Sequence, residues 1–328
     1  MILRTLNDVV AYLCKEINHN RKREISFVSS LINIDIAGVY GRVVSEKPEL
    51  LLCVETMASS VICLGLWNNY TVTVTYNDVY PSFVKLVDTE YQVKSMLLEA
   101  ADAHRKQEYF VCRKSDSAMV LSAIKSIVTS PEHLNSFVSG VQPSVLDRAE
   151  SEYVGIIVRL MYSCDYRTAK ERKNQRNKEI NRIVSLARSA GIEDWKKAYE
   201  VLKFCVNNWE YELGSGTGLE FTSYGALVNK RAVCMGFSLA VCAIFKELGI
   251  PCKYICGTKN NEGHAWNMIY VMGGWFYIDV TDAIGMKDPL FHWGVTCFDD
   301  GRTVITEHGQ NLVCHCDKNY IMSAVNRR

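Results

Sequence analysis

The sequence predicts an α+β protein in two parts, and three observations carry that expectation. Leu6, Val9, Val10, Leu13 and Ile17 recur at helical spacing near the start, which marks one apolar helix face. Residues 70–76 alternate Thr and Val in the manner of a half-buried strand,. Further on, an almost wholly apolar stretch over 235–248 gives way to short β-branched and aromatic runs up to Asp282, the pattern of a buried helix followed by strands. With 328 residues the chain is long enough for about two domains, at roughly 150 residues each. Its 48% hydrophobic and 22% charged residues exclude a mainly disordered chain. Lys and Arg total 37 against 36 Asp and Glu, a formal charge of +1. No overall field is therefore available to hold a polyanion or an anionic membrane, and a nucleic acid would need a local patch.

Taken in order, the N-terminal stretch is expected to be a helix without export character, because Arg4, Asp8, Lys15 and Glu16 interrupt it,. Apolar runs such as 239–245 are far short of the roughly 20 residues that span a bilayer, so no membrane partner is expected. The 13 cysteines, odd in number and scattered singly, suit a reducing compartment, and a cytoplasmic protein is expected. Residues 60–67 and 70–76 flank Asn68-Asn69, a pair suited to a tight hairpin turn. Helices are expected over 83–104, after Pro81, and over 118–128. Turn formers collect between Thr129 and Ser144 (Ser130-Pro131, Ser139-Gly140, Pro143-Ser144), which places a domain break there. The expected domains are 1–140, a small α+β unit of unassigned role, and 145–328, with helices near 145–161 and 195–208.

Between those helices, Arg167, Lys170, Arg172, Lys173, Arg176, Lys178 and Arg182 stand against Glu171 and Glu179. Such a run without interleaved aromatics is expected to be a solvated helix face. Nucleic acid is accordingly not the expected partner; binding through this run would show steep salt dependence. Gly214 to Gly218 lacks the Lys-Ser/Thr ending and the preceding strand of a phosphate loop,, and is expected to be a connection.

The chemistry is expected downstream. Cys234 opens the apolar helix, which Gly249 and Pro251 terminate,. A thiol at a helix N-terminus is favoured as thiolate, while burial opposes this and calls for a base nearby. Two strands follow, one through His264 to Val271 and one from Trp275 to Asp279. A Met272-Gly273 turn puts Asp279 opposite Trp266 and diagonal to His264, roughly 7–8 Å away. A Gly273-Gly274 turn is locally the better type I′ sequence but displaces the pair by about 13 Å. A Cys-His-Asp triad therefore requires the Met272-Gly273 turn or a bulge. Cys at a helix start with His and Asp on neighbouring strands is what thiol acyl chemistry needs.

The successive blocks Tyr224-Gly-Ala-Leu, Ala232-Val-Cys-Met-Gly-Phe-Ser, Leu248-Gly-Ile-Pro-Cys, Gly263-His-Ala-Trp-Asn-Met and Gly274-Trp-Phe-Tyr-Ile-Asp-Val-Thr-Asp resemble those of the bacterial transglutaminase-like (papain-like) superfamily of cysteine proteases and transglutaminases. The resemblance covers about three-quarters of a hundred residues, with a weaker lead-in from Trp195. It implies a transglutaminase-like core, in which the nucleophile helix packs on an antiparallel sheet, with Cys234 as nucleophile, His264 as general base and acid, and Asp279 as the orienting acid. Two departures stand out. Met235 replaces a Gln found in many bacterial members, and the family's Asp-x-Thr-Trp ending is Asp279-Val280-Thr281-Asp282 here. The oxyanion would meet the Cys234 backbone N–H and one side-chain donor, for which Tyr224 and Trp209 are named. Met235 and Trp266 complete the candidate substrate environment, with Trp266 and Trp275 expected to pack the hairpin.

Zinc is not expected. Cys252 and Cys256 would stand about 13 Å apart on one strand face, and Cys314-His315-Cys316 has no matched second pair,. No calcium loop is present in the sequence, and no cofactor is expected. The expected function is thiol-dependent acyl transfer at amide bonds, as a cysteine protease or amidase acting on a protein or peptide. The alternatives are a transglutaminase with an amine acceptor and a non-catalytic transglutaminase-like protein-binding module, while oligomeric state stays open.

Overall fold

The computed structural model describes residues 1–127, 137–214, 216–295 and 302–304. It divides into two compact units, Met1–Ser163 and Cys164–Arg328. In chain order the first unit contains β1 (Ile2–Leu3), α1 (Leu6–Asn18), β2 (Glu24–Ser29), α2 (Ile36–Glu46), α3 (Leu50–Cys53), β3 (Val54–Leu64), β4 (Trp67–Tyr76), β5 (Val84–Leu86), α4 (Glu90–Asp102), β6 (Gln107–Arg113), α5 (Ser117–Ser126), β7 (Val138–Asp147) and β8 (Tyr153–Tyr162). These strands form two four-stranded sheets, ordered β1-β2-β4-β3 and β5-β6-β8-β7. α1 lies where its apolar stripe predicts, with Val9, Val10, Leu13 and Ile17 fully buried. It starts at Thr5, whose hydroxyl accepts from the Asp8 N–H while the Asp8 carboxylate accepts from the Thr5 N–H, a reciprocal cap.

Three expectations for this unit are corrected. The hairpin turns at Gly65-Leu66, since Leu64 pairs with Trp67, and not at Asn68-Asn69. Gly65 supplies the positive φ, 73°, that the first position of a type II′ turn demands. Asn68 is instead buried inside β4, donating from its amide to the Leu31 carbonyl. The helix expected over 83–104 begins only at Glu90, capped by Thr89, because residues 84–86 are claimed by pairing with β6. The helix expected near 145–161 is a pair of strands, β7 and β8. Val154, Ile156, Val158 and Leu160 are buried at every second position, the period of a strand. Pro143 is accommodated because β7 is an edge strand,. Of the turn formers between Thr129 and Ser144, Ser139-Gly140 and Pro143-Ser144 are part of β7, while Ser130-Pro131 lies outside the described residues.

The second unit contains α6 (Tyr166–Ser189), α7 (Asp194–Asn208), β9 (Glu210–Tyr211), β10 (Arg231–Ala232), α8 (Cys234–Leu248), β11 (Cys252–Lys259), β12 (Glu262–Val271), β13 (Gly274–Ile278), α9 (Val280–Met286), β14 (Trp293–Val295) and β15 (Thr303–Val304). Its antiparallel sheet is ordered β14-β13-β12-β11-β15, and short β9 pairs in parallel with β10. The apolar helix α8 packs on this sheet: Phe237, Val241, Ile244 and Phe245 share a core with Ile269, Phe276 and Ile278. Asn267 of β12 fastens the two layers by donating to the Ser238 carbonyl and the Cys242 sulfur of α8. Gly249, at φ 76°, closes the helix in the left-handed conformation glycine favours. The basic run lies on α6, whose buried residues begin only at Ile180, so its N-terminal part is surface. Arg167 pairs there with Glu171, and Arg182 with Glu179. Gly214, Gly216 and Gly218 all have positive φ in a connecting segment.

Close approach at the start of α8 depends on Gly236. A β-carbon there would stand 2.5 Å from the Glu220 carbonyl oxygen and 2.9 Å from that of Thr222. Gly236→Ala is therefore expected to destabilise the second unit by about 1–3 kcal/mol, read as a lower midpoint in thermal unfolding followed by circular dichroism. An unchanged midpoint would show that the 220–222 segment yields freely.

Candidate active site

Cys234 is the first residue of α8, so its sulfur lies among the free N–H groups of a helix N-terminus. Burial alone would raise its pKa. Hydrogen bonds from His264 and the Ala265 backbone, the His264 charge and the Met235 backbone N–H outweigh that and hold the thiol below its ordinary value. His264 lies on β12, opposite Gly257 of β11. Its Nε2 stands 2.8 Å from Oδ2 of Asp279, which leaves Nδ1 for the sulfur. Burial disfavours the charged ring, yet the Asp279 carboxylate and the Cys234 sulfur push His264 up to about 9.

The register that permits this comes from the turn. Val271 pairs with Gly274 and Asn267 with Ile278, so Met272 and Gly273 form the turn, with φ of 54° and 81°. Both values are positive, as a type I′ turn requires. The Met272-Gly273 alternative, and not the glycine pair, is the one adopted. Asp279 follows one residue beyond the last paired position of β13, level with Trp266 on the neighbouring strand.

Asp279 is fully buried, and its carboxylate is held at both oxygens. As the N-cap of α9 it accepts the Asp282 N–H on Oδ1 at 3.1 Å, an orphan donor that a helix start leaves available. On Oδ2 it accepts from Arg302 Nη1 as well as from His264. Arg302 also reaches Asp282 through Nη2. Asp282 in turn receives Lys259 Nζ at 2.5 Å and lies 2.8 Å from His292 Nδ1. Burial opposes its charge, but His292, Lys259 and Arg302 keep its carboxyl well below the usual carboxylate range. His264, Asp279 and Asp282 offer atoms within 4.8 Å of one another, the spacing of a metal site. Their oxygens already receive a guanidinium and an ammonium, so the donor set suits those cations rather than a metal ion.

The remaining sequence candidates divide. Trp266 is buried and stacks on His264 with centroids 5.8 Å apart. Met235 serves Cys234 through its backbone N–H, so the absence of Gln at this position removes none of the contacts just described. Trp209 is buried and stacks on Phe237, one turn along α8 from Cys234. Its indole N–H has no hydrogen-bond partner among the described residues. Tyr224 is turned toward α6, where its hydroxyl donates to Gln175 at 2.7 Å. Tyr211 and Tyr254, both pushed up chiefly by burial, also feel the Cys234 sulfur.

Tyr211 and Arg302 were not foreseen from sequence. Tyr211 arrives through the two-residue pairing of β9 with β10, too short to leave a pattern. Arg302 comes from the segment leading into β15, 20 residues beyond Asp282. The only hint of it was Asp282 itself, a carboxylate just past the strand end that would need a cation. Cys252 lies 3.5 Å from Cys242, while Cys314, His315 and Cys316 lie outside the described residues.

The transglutaminase-like superfamily matches residues 181–280, a span that includes Cys234, His264 and Asp279. No curated protein matches the sequence. Among solved structures the chain is similar to a TGase, with 11% identity over 85% of this chain and 58% of that one, at a TM-score of 0.31. It is similar to a candidate cysteine protease from Cytophaga hutchinsonii, with 16% identity over 55% of this chain and 80% of that one, at a TM-score of 0.29. A candidate protease from Parabacteroides distasonis shares 8% identity over 80% of this chain and 60% of its own, at a TM-score of 0.24. The chain thus spans less than two thirds of the TGase and of the Parabacteroides protein.

The contact between His264 and Asp279 has a direct spectroscopic consequence. In a titration followed by NMR of the imidazole nitrogens, His264 is expected to lose its proton near pH 9. Asp279→Asn should bring that transition down by more than about one unit, toward the ordinary value of roughly 6.5. A His264 transition that Asp279→Asn leaves in place would disprove the coupling.

Proposed function

From the transglutaminase-like domain over residues 181–280, we propose that the chain catalyses thiol-dependent hydrolysis of amide bonds in a protein or peptide, with Cys234, His264 and Asp279 as the triad. The observation that carries this reading is the placement of His264, which bonds Asp279 at 2.8 Å on one side and, on the other, faces Cys234 and holds its thiol below the ordinary value. A thiolate beside an imidazolium is the reactive form of such a site. The sulfur attacks the carbonyl carbon, an S–C bond forms, and the carbonyl π pair moves to oxygen. The oxyanion meets the Cys234 backbone N–H, and we assign the Trp209 indole as the side-chain donor because its buried N–H lacks an acceptor among the described residues,. Collapse breaks the C–N bond, and His264 gives its proton to the departing amine. The neutral ring then takes a proton from water, hydroxide adds to the thioester, and the thiolate leaves with His264 protonated again. Asp279 keeps the ring in one tautomer throughout.

Water as acceptor is supported by the partial exposure of the site: the His264 side chain retains 11% of its surface, and Cys234 is half-buried. A reducing compartment such as the cytoplasm suits the reading, since a free thiolate must survive there. None of the described helices is long and apolar enough to cross a membrane.

The test uses p-nitrophenyl acetate, which acylates a reactive thiol whatever the natural substrate. Mass spectrometry is expected to find the acetyl group on Cys234 of the wild type, followed by release as acetate. Asp279→Asn should slow acylation by roughly 10²–10⁴-fold, and Cys234→Ala should abolish it. If added cadaverine captures the acetyl group in preference to water, the acceptor is an amine and the chain is a transglutaminase. Failure to acylate Cys234 at all would overturn the enzymatic reading in favour of a binding module.

A further inference from the structure

We infer that Arg302 is a positioning residue of this site: its guanidinium ties Asp279 to Asp282 and thereby fixes the carboxylate that orients His264. The inference rests on the triad reading above. Where the family pattern ends in Asp-x-Thr-Trp, Asp282 occupies the last position, and a second carboxylate thus stands one helical turn from Asp279. Two carboxylates so close, one buried and one half-buried, repel each other unless a cation lies between them.

Arg302 is that cation. Its side chain is 2% exposed and donates Nη1 to Asp279 and Nη2 to Asp282, a planar fork that an ammonium cannot reproduce. Its guanidinium also lies over the Trp266 ring at 5.4 Å, and Trp266 stacks on His264. One buried side chain therefore contacts the acid of the triad and the aromatic ring that backs the base. The backbone just after it docks on the sheet edge, where Thr303 and Val304 pair with Thr258 and Gly257. That edge lies beside His264, which pairs with Gly257 from the other side.

Charge balance points the same way. With the thiolate and imidazolium formed, Cys234, Asp279 and Asp282 are negative while His264, Arg302 and Lys259 are positive. Removing Arg302 leaves the group with an unmatched negative charge. The other titratable groups facing the pair are Tyr211 and Tyr254 beside Cys234 and His292 beyond Asp282; none of them touches Asp279 Oδ2, which Arg302 shares with His264. Arg302 therefore draws electron density from the same oxygen that His264 uses. It restrains the basicity of the ring while holding the carboxylate still.

The experiment compares wild type, Arg302→Met and Arg302→Lys by two readouts: the His264 titration by NMR and the rate of Cys234 acylation by p-nitrophenyl acetate at pH 7. In Arg302→Met, loss of the neighbouring charge should raise the His264 transition by about one unit, and acylation should fall severalfold because Asp279 is no longer held. Arg302→Lys should restore the wild-type His264 transition but only part of the rate, since it returns the charge without the fork. Should Arg302→Met fail to fold, Arg302→Gln serves with the same expected upward shift. An unmoved His264 transition in a folded neutral variant overturns the assignment, even if the rate falls. If wild-type Cys234 is not acylated, the triad reading fails and this inference fails with it; if wild type acylates normally and only the shift is missing, the inference alone is lost.

Discussion

The site depends on one buried carboxylate. Asp279 has no exposed surface, and an unpaired charge in that position would cost several kcal/mol. Every contact it makes is therefore also a constraint: the Asp282 N–H at the start of α9 fixes Oδ1, while His264 and Arg302 converge on Oδ2. The carboxylate favours the charged imidazole, and that ring in turn holds the Cys234 thiol below its ordinary value. The electrostatic order runs inward to outward, from Arg302 through Asp279 and His264 to the thiol.

Two pieces of local structure deliver those groups to one another. The Met272-Gly273 turn sets the β12–β13 register, and the Gly273-Gly274 alternative would have left Asp279 about 13 Å from His264 along the strand. Asn267, three residues beyond His264, ties β12 to α8 through Ser238 and Cys242, so the strand bearing His264 cannot slide along the helix bearing Cys234. Gly236 lets the first turn of α8 approach the 220–222 backbone. Packing of apolar side chains between α8 and the sheet supplies the rigidity, and the polar contacts supply the register.

Much of this was legible in the sequence because the signals are local. The apolar run of α8, its terminating Gly249 and the blocks around His264 and Asp279 each lie within a few residues of the structure they specify. The turn was legible only by chemistry: local preference favoured Gly273-Gly274, and Met272 accepts a positive φ that its side chain does not advertise. Where the sequence misled, non-local pairing decided. Residues 84–86 read as part of a helix until a strand partner at 109–111 is known. Residues 145–161 read likewise until the two strands are seen to pair with each other. Arg302 and Tyr211 fall in the same class, since each reaches the site through short pairings that leave no periodic trace.

The central claim is that Cys234 and His264 form a thiolate–imidazolium pair in the resting protein. The measurement that tests it most directly is the pH dependence of Cys234 alkylation by iodoacetamide, located by mass spectrometry, in wild type and in His264→Ala. An ion pair predicts fast labelling of Cys234 with an apparent pKa well below roughly 8.5, lost or displaced upward when His264 is removed. Slow labelling with the same ordinary thiol profile in both proteins would contradict it.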